Sequence, residues 1–186
     1  MVKHSPRTAL TSSLFCFAIC LISIVMLFST NMLNFFNHQV IHNYQVIYLD
    51  AKYSGFIGSS IVTLSGALFM LWQYICLKRS NESLNAKHQS VKVLTIVVII
   101  GFLFIFPGQS LEKSRLESRA EEEGYQACPP FTLLISSVSI DAWVKDFELC
   151  NDPEVGKLAR YGYPEEPEKI AKLLSKRKLE KALTNY

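Results

Sequence analysis

Apolar runs and short polar segments alternate along the first 107 residues of this chain. No Asp, Glu, Lys or Arg occurs in 8–49, and the run 10–33 within it has the length of about 20 residues that a helix needs to cross a bilayer. A second uncharged run covers 54–77, and a third, 91–107, carries only Lys92 and ends at a proline. The pattern predicts three transmembrane helices. Because the third run is short, a buried helix of a soluble protein is its alternative.

The first run has two interpretations. Lys3 and Arg7 precede it, as basic residues precede the apolar core of a secretory signal. The run is longer than the roughly 7 to 15 residues of such a core, and 29–32 offers no Ala-x-Ala-like cleavage site. We therefore expect a retained anchor.

Basic residues between the runs predict the orientation. Short loops rich in Lys and Arg stay in the cytoplasm. The segments 1–9 and 78–90 are basic, whereas Lys52 is the single basic residue of 34–53. We therefore expect 1–9 and 78–90 inside, and both 34–53 and the tail 108–186 outside.

The five cysteines agree with this topology. Cys16, Cys20 and Cys76 fall within the apolar runs, where cysteine behaves as a small apolar residue. Cys128 and Cys150 are the two cysteines of the tail, and a pair facing an oxidising compartment predicts a disulfide. Such a bond would stabilise the folded tail by about 3 kcal/mol. Two unpaired thiols are the alternative.

The tail is predicted to be a small, mostly helical module. Segment 110–123 is predicted as a helical stalk, 125–138 as a short extended segment in which two prolines prevent a helix, and 164–183 as an amphipathic helix. Ser139 can cap a further helix whose apolar face forms the predicted core of the tail: Ile140, Trp143, Val144 and Phe147, with Cys150. The predicted fold is thus an all-α membrane protein with three transmembrane helices and a disulfide-closed extracytoplasmic tail.

Small residues recur every fourth position in the second run, at Gly55, Ser59, Thr63 and Ala67. They fall on one helical face and allow another helix to approach closely. Packing against the other two runs of the same chain is the expected use. Homodimerisation or docking on a partner is the alternative.

Catalytic and metal-binding groups are sparse. All four histidines lie outside the tail, so a Ser-His-Asp or Cys-His site cannot form within it. His38 and His42 have the spacing of helical metal ligands, with Asp50 nearby, but an interfacial helix carrying polar histidines is the better interpretation. We expect no enzyme activity, no metal and no cofactor, and we identify no small-molecule substrate.

Charge excludes further classes of function. The formal net charge is only +3, and the basic cluster Lys176, Arg177, Lys178 and Lys181 fits a solvated helix face or a weak contact with lipid headgroups better than a nucleic-acid site. No Asp, Glu, Lys or Arg lies at the middle of an apolar run. Pumps, exchangers and channels need such residues, so transport by this chain alone is disfavoured.

The tail resembles a known family. Gly124-Tyr125-x-x-Cys128, then Trp143-Val144-Lys145-Asp146 and Leu149-Cys150, are similar to the end of small enterobacterial inner-membrane proteins known only as a domain of unknown function. The resemblance implies a bacterial inner membrane and a periplasmic tail. It implies no active site.

The remaining expectation is an interaction protein. Its partners would be the lipid bilayer and another protein bound by the periplasmic module. A concrete version is an immunity protein against a toxin that acts at the membrane or in the periplasm. An accessory subunit of a transporter or membrane sensor is the alternative.

Overall fold

The computed structural model describes residues 6–29, 31–80, 88–135 and 140–184. Its helices and strands follow in the order α1 (Pro6–Ser29), α2 (Phe35–Ile41), β1 (Val46–Asp50), α3 (Lys52–Ser80), α4 (Gln89–Ile105), α5 (Pro107–Glu122), β2 (Gln126–Ala127), β3 (Ile140–Val144), a 3-10 helix (Phe147–Asn151), α6 (Pro153–Leu158) and α7 (Glu166–Thr184). The chain divides into two units. The helical unit comprises Met1–Thr30 and Lys52–Ser110, and the sheet unit comprises Asn31–Ala51 and Leu111–Tyr186.

Among the described residues of the helical unit, two helices are long and apolar enough to cross a membrane, namely α1 and α3. The pair α4 and α5 meets the same criterion only when counted as one span, because it bends by 42° at the break before Pro107. Proline cannot donate the backbone hydrogen bond that would continue the helix through this point. Of the three expected spans, two are therefore present as candidate membrane helices, and the third is a candidate only if the bent pair forms one span. Part of the predicted loop 78–90 lies outside the described residues, namely 81–87.

Helix α3 packs against both α1 and α4. Serine side chains hydrogen-bond across these contacts: the Ser13 hydroxyl donates to the Ala67 carbonyl at 2.9 Å, and the Ser54 hydroxyl donates to the Phe104 carbonyl at 2.9 Å. On the α4 side Gly58 meets Gly101, where a Cβ at Gly58 would lie 2.6 Å from the Gly101 carbonyl oxygen. Glycine is therefore needed for this close approach.

The sheet unit contains a three-stranded antiparallel sheet in the order β1-β3-β2. Val46 pairs with Val144 and Asp50 with Ile140. The prediction of an all-α fold is therefore wrong, although the chain is mostly helical. The strand β1 belongs to the segment 34–53, which the sequence analysis separated from the tail and which the structure joins to it in one unit.

The helix predicted to start at Ser139 is also wrong. Residues 140–144 form the central strand β3, and Ser139 itself lies outside the described residues. The helical spacing of apolar residues was misleading, because β1 supplies a strand to pair with from almost 100 residues earlier in the chain. Tertiary pairing of this kind overrides local pattern.

One face of the sheet lies on an apolar core. Its buried members include residues of both strands and of the segments that follow them: Val46, Tyr48, Leu133, Leu134, Ala142, Val144, Cys150, Val155, Ala159 and Ile170. Cys128 and Cys150 form the predicted disulfide, with their Cα atoms 5.6 Å apart. The bond connects the chain just after β2 to the 3-10 helix, so it joins the two ends of the segment that contains β3.

The outer edge of β1 is bonded by a side chain in place of a fourth strand. The Gln39 amide, on α2, donates to the Tyr48 carbonyl at 3.0 Å, and the Tyr48 N–H donates to the Gln39 amide oxygen at 2.8 Å. Gln39 is only 1% exposed. The two bonds satisfy backbone groups that an edge strand would otherwise leave without protein partners.

Candidate functional site

A tight turn after the disulfide presents an aromatic side chain to solvent. The Thr132 N–H donates to the Pro129 carbonyl at 3.3 Å, and the Thr132 hydroxyl donates to the same oxygen at 2.7 Å. Phe131, the third residue of the turn, has a φ of 64°. Proline at the second position and positive φ at the third characterise a type II turn, in which the third residue is normally Gly or Asn. Phe131 therefore occupies a turn position at which Gly or Asn is normally found.

The conformation of Phe131 is costly and its side chain is not buried in return. A left-handed backbone conformation costs about 1–2 kcal/mol for a residue with a Cβ atom. The Phe131 side chain is 74% exposed. On one side the turn is held by the disulfide at Cys128, and on the other by the buried Leu133 and Leu134. The local structure thus fixes a strained backbone that points an apolar ring into solvent.

A second exposed segment is bonded to the first. The Ile135 N–H donates to the Arg160 carbonyl at 3.3 Å, which connects the segment after the turn to the segment before α7. The rings of Tyr161 and Tyr163 lie 5.5 Å apart, and the Arg160 guanidinium lies 6.0 Å from the centre of the Tyr161 ring. Ile135, Tyr161 and Tyr163 are 59%, 49% and 59% exposed. We use the name aromatic surface for Phe131 and Ile135 together with Arg160, Tyr161 and Tyr163.

A buried carboxylate holds the backbone of the tyrosine segment. Glu166, 5% exposed, accepts hydrogen bonds from the N–H groups of Tyr161 at 3.1 Å and Gly162 at 2.8 Å. Gly162 has a φ of 74°, which suits glycine. Burial raises the pKa of the Tyr48 hydroxyl, and the negative charge of Glu166 raises this pKa further. The aromatic surface therefore rests on a well-anchored backbone.

A second anchored point lies where α6 meets α7. The Asp152 carboxylate caps α6 by accepting from the N–H groups of Glu154 at 2.8 Å and Val155 at 3.1 Å. Arg177 on α7 donates to the same carboxylate at 3.1 Å and also pairs with Glu154. These bonds, above all those from Arg177, lower the pKa of Asp152 to about 2. The carboxylate is therefore fully ionised at neutral pH.

The residues predicted as the core of the tail have different environments. Trp143 and Val144 are buried on β3, and Ile140, on the same strand, is partly buried. Phe147, in the 3-10 helix, is 47% exposed and does not line the core. Among the described residues the Trp143 ring N–H has no hydrogen-bond partner.

The small-residue face of α3 lies within the helical unit. The Ser59 hydroxyl is 3.4 Å from that of Ser23, and the Ala67 carbonyl accepts from Ser13, so both positions contact α1. The Thr63 hydroxyl donates to the Ser59 carbonyl of its own helix at 2.7 Å. Gly55 lies next to the Gln109 side chain.

The histidine pair does not form a recognisable metal centre. The rings of His38 and His42 lie 4.3 Å apart, and Tyr44 stacks on His42 at 5.6 Å. Asp50 is a residue of β1. Within the part of the chain that the structure describes, no group of three or more His, Cys, Asp or Glu side chains is placed to hold a metal ion.

Sequence reasoning did not identify the aromatic surface. Pro129 and Pro130 were read as a break in a helix, although a proline pair before an aromatic residue also fits a turn with that residue near its apex. Tyr161 and Tyr163 lie between two helices in a segment that is too short to show a helical or strand periodicity of apolar residues. Their exposure is visible only in the folded structure.

Comparison with known proteins gives one match. The model of a family described as a protein of unknown function, DUF1240, matches residues 47–151, which is more than half of the chain. The match begins in β1 and ends at the last residue of the 3-10 helix, just after Cys150. No curated protein and no solved structure matches. The resemblance inferred from the tail residues is confirmed as a match to a family known only as a domain of unknown function.

Proposed function

The chain belongs to the DUF1240 family of proteins of unknown function, and we propose that it is a membrane-anchored binding protein. The helical unit anchors it in a bacterial inner membrane, and the sheet unit binds another protein on the periplasmic side. The aromatic surface is the part of the sheet unit that makes this contact.

Strand pairing supports two adjacent crossings. β1 precedes α3 and β3 follows α4, yet the two strands are hydrogen-bonded neighbours. If α3 crosses the bilayer, the chain has to cross back before β3. The apolar helix α4 is the segment able to do so, alone or with the first part of α5.

Two features support the periplasmic side. The sheet unit contains a disulfide, and disulfides persist in oxidising compartments such as the periplasm. The basic residues of the amino terminus and of the segment between α3 and α4 favour the cytoplasm for those parts.

The observation that carries a binding role is the strained, exposed Phe131. Aromatic rings are normally buried in the folded protein. The left-handed position of a type II turn is normally occupied by Gly or Asn. Backbone strain of this kind persists where the surrounding structure enforces it, and it clusters at binding and catalytic sites. The tyrosines and Arg160 of the aromatic surface are residue types enriched where proteins contact each other.

An immunity protein is the specific version that we propose. The partner is then a toxin that acts at the membrane or in the periplasm and is encoded next to this gene. Deletion should make the producing cells sensitive to that toxin. Wild-type protein should restore survival, and Phe131→Ala at equal abundance should not. Full protection by Phe131→Ala would contradict a role for the aromatic surface.

Photocrosslinking tests direct contact. A photoreactive phenylalanine analogue at Phe131 should crosslink to the neighbouring toxin in cells that produce both proteins. The matched control is the analogue at Leu183, which is 71% exposed on α7. Equal crosslinking at both positions, or none at Phe131, would count against the proposed surface.

The accessory-subunit alternative has less support. It relied on the small-residue face of α3, and α1 of the same chain already contacts Ser59 and Ala67. Replacing Gly55 and Ser59 with Leu should disturb packing within the chain whether or not a membrane partner exists.

A further inference from the structure

A cavity of about 410 Å³ lies in the sheet unit, between α7 and the region of the 3-10 helix. This volume falls in the range of small-molecule sites. Its walls carry charges of both signs and its apolar part is formed by two leucines. The residues concerned are Asp146, Glu148, Leu149, Leu174, Lys178 and Lys181.

The charges are separated by structural element. Asp146 and Glu148 come from the 3-10 helix and the residue before it, whereas Lys178 and Lys181 come from α7. Leu174, Lys178 and Lys181 share one helical face, because residues three and four apart are neighbours on a helix. An acidic wall and a basic wall therefore line the same cavity.

The ion pairs found within the described part of the chain do not include these four charged residues. Among the described residues Glu148, Lys178 and Lys181 form no ion pair, and Asp146 only caps the 3-10 helix by accepting from the Glu148 N–H at 3.1 Å. Lys176, two residues before Lys178, shows the contrast, since it pairs with Glu180 along α7 at 3.8 Å. The four residues are exposed, and opposite charges that line this solvent-open cavity without pairing leave both walls available to a ligand.

The walls are held in place by a separate ion pair. Asp152 and Arg177 also line the cavity, and they bond to each other, which ties α7 to the start of α6. The geometry of the cavity therefore does not depend on the four unpaired charges.

We infer that this cavity binds a small zwitterion of the amino acid or short-peptide class. Its ammonium group pairs with Asp146 and Glu148, and its carboxylate pairs with Lys178 and Lys181. Its apolar side chain contacts Leu149 and Leu174. The site is separate from the aromatic surface and independent of the proposed function, because none of its lining residues belongs to that surface.

Calorimetry with the purified full-length protein tests the inference. Leucyl-leucine is the probe, and acetyl-leucyl-leucine and leucyl-leucine amide lack its ammonium and its carboxylate respectively. We expect the free dipeptide to bind and each blocked form to bind at least about fivefold more weakly, because one exposed ion pair contributes up to about fivefold and each blocked group would pair with two charges. Absence of dipeptide binding, or equal binding of all three, would overturn the inference. Binding of the acetylated form alone would mean a simple anion site and would also overturn it.

Variants assign the two walls. Lys178→Gln with Lys181→Gln should weaken the free dipeptide about fivefold or more and leave the amide form unchanged. Asp146→Asn with Glu148→Gln should also weaken binding of the free dipeptide and should leave binding of the acetylated form unchanged. Lys176→Gln is the matched control and should change nothing. Circular dichroism checks that each variant keeps its fold.

A final arm separates free peptides from lipid headgroups. Glycerophosphoethanolamine has an ammonium group and an anionic phosphate but no apolar side chain. We expect it to bind more weakly than leucyl-leucine. Tighter binding would assign the cavity to a lipid headgroup and overturn the peptide assignment.

Discussion

Phe131 combines two properties that substitution can separate: a strained backbone and an exposed ring. Ala keeps the Cβ atom and the strain but loses the ring. Gly loses both. A binding role depends on the ring, whereas stability depends on the backbone.

We predict that the Phe131→Gly variant is more stable than Phe131→Ala by about 1 kcal/mol, because only glycine adopts positive φ without steric cost. Neither variant should restore the proposed protection. Denaturant unfolding of the purified full-length variants measures the difference in stability. An alanine variant as stable as the glycine variant would show that the turn is not strained.

Asp152 predicts a dependence of stability on acid pH. Its pKa in the folded protein is about 2, below the ordinary value of 3.8, with Arg177 as the first cause. A carboxyl group with a lowered pKa stabilises the fold above its ordinary pKa, and this contribution is lost as the pH falls from about 4 toward 2. Arg177→Gln should raise the pKa of Asp152 toward its ordinary value and reduce the loss of stability over that range.

Unfolding measured at several pH values between 2 and 7 tests this prediction. The matched control is Lys169→Gln, on the same helix as Arg177, which removes an exposed ion pair with Glu165 just before that helix. Exposed pairs contribute little, so the control should follow the wild-type profile. An unchanged profile in the Arg177 variant would show that the Asp152 ion pair does not contribute.

Single residues were only partly predictable. Cys128 and Cys150 were found because cysteine chemistry depends on compartment and number, which a sequence shows. Gln39 and Phe131 were missed, because their roles depend on a strand edge and on a backbone angle that exist only after folding.

At the scale of elements, the apolar helices were the best predicted. Their composition alone indicates a bilayer as solvent, and α3 extends only two or three residues beyond the predicted run at each end. The strand β3 was predicted as a helix, because Ile140, Trp143, Val144 and Phe147 fit a helical period. The partner that makes this segment a strand is distant in sequence.

The contact between α3 and α4 predicts different tolerance at two glycines. A Cβ at Gly58 would meet the backbone of Gly101 and Ile105 at 2.6 and 2.9 Å, so Gly58→Ala should force the helices apart and cost about 1–3 kcal/mol. The control Gly66→Ala would meet only Cys16 Sγ, at an ordinary 3.7 Å, and should be tolerated. Unfolding in detergent measures both, and equal effects would contradict the packing.

The disulfide predicts a reductant-sensitive sheet unit. Replacing both Cys128 and Cys150 with Ser should reduce the free energy of unfolding by about 3 kcal/mol, since the bond restricts the unfolded chain. Reductant should lower the Tm of the wild-type protein and leave that of the double variant unchanged. A wild-type Tm that is insensitive to full reduction would contradict a structural role.

At the scale of the whole molecule, the pairing of β1 with β3 predicts a shared side for two distant segments. Single cysteines at Asn37 and Ser114, both exposed, should react in intact cells with a membrane-impermeant maleimide, after Cys16, Cys20 and Cys76 are replaced with Ala. A cysteine at the exposed Gln89 should react only after lysis. Gln89 is the first residue of α4, whereas Ser114 follows the last residue of α4, so a crossing by α4 puts them on opposite sides.

The outcomes distinguish the fold from the orientation. If Asn37 and Ser114 label from opposite sides, the strand pairing is wrong. If both label only after lysis, the pairing stands and the sheet unit is cytoplasmic.

The same pairing determines when the sheet can form during synthesis of the chain. Val46 and Val144 are partners 98 residues apart, so β1 leaves the ribosome about 5 to 20 s before β3 at ordinary rates of synthesis. During that interval α3 and α4 are synthesised while β1 lacks its neighbour in the sheet. Gln39 precedes β1 in the chain and is already available to bond one edge of it. The other edge stays unpaired until β3, in the last third of the chain, is synthesised, and an unpaired strand edge is a site for misfolding and aggregation.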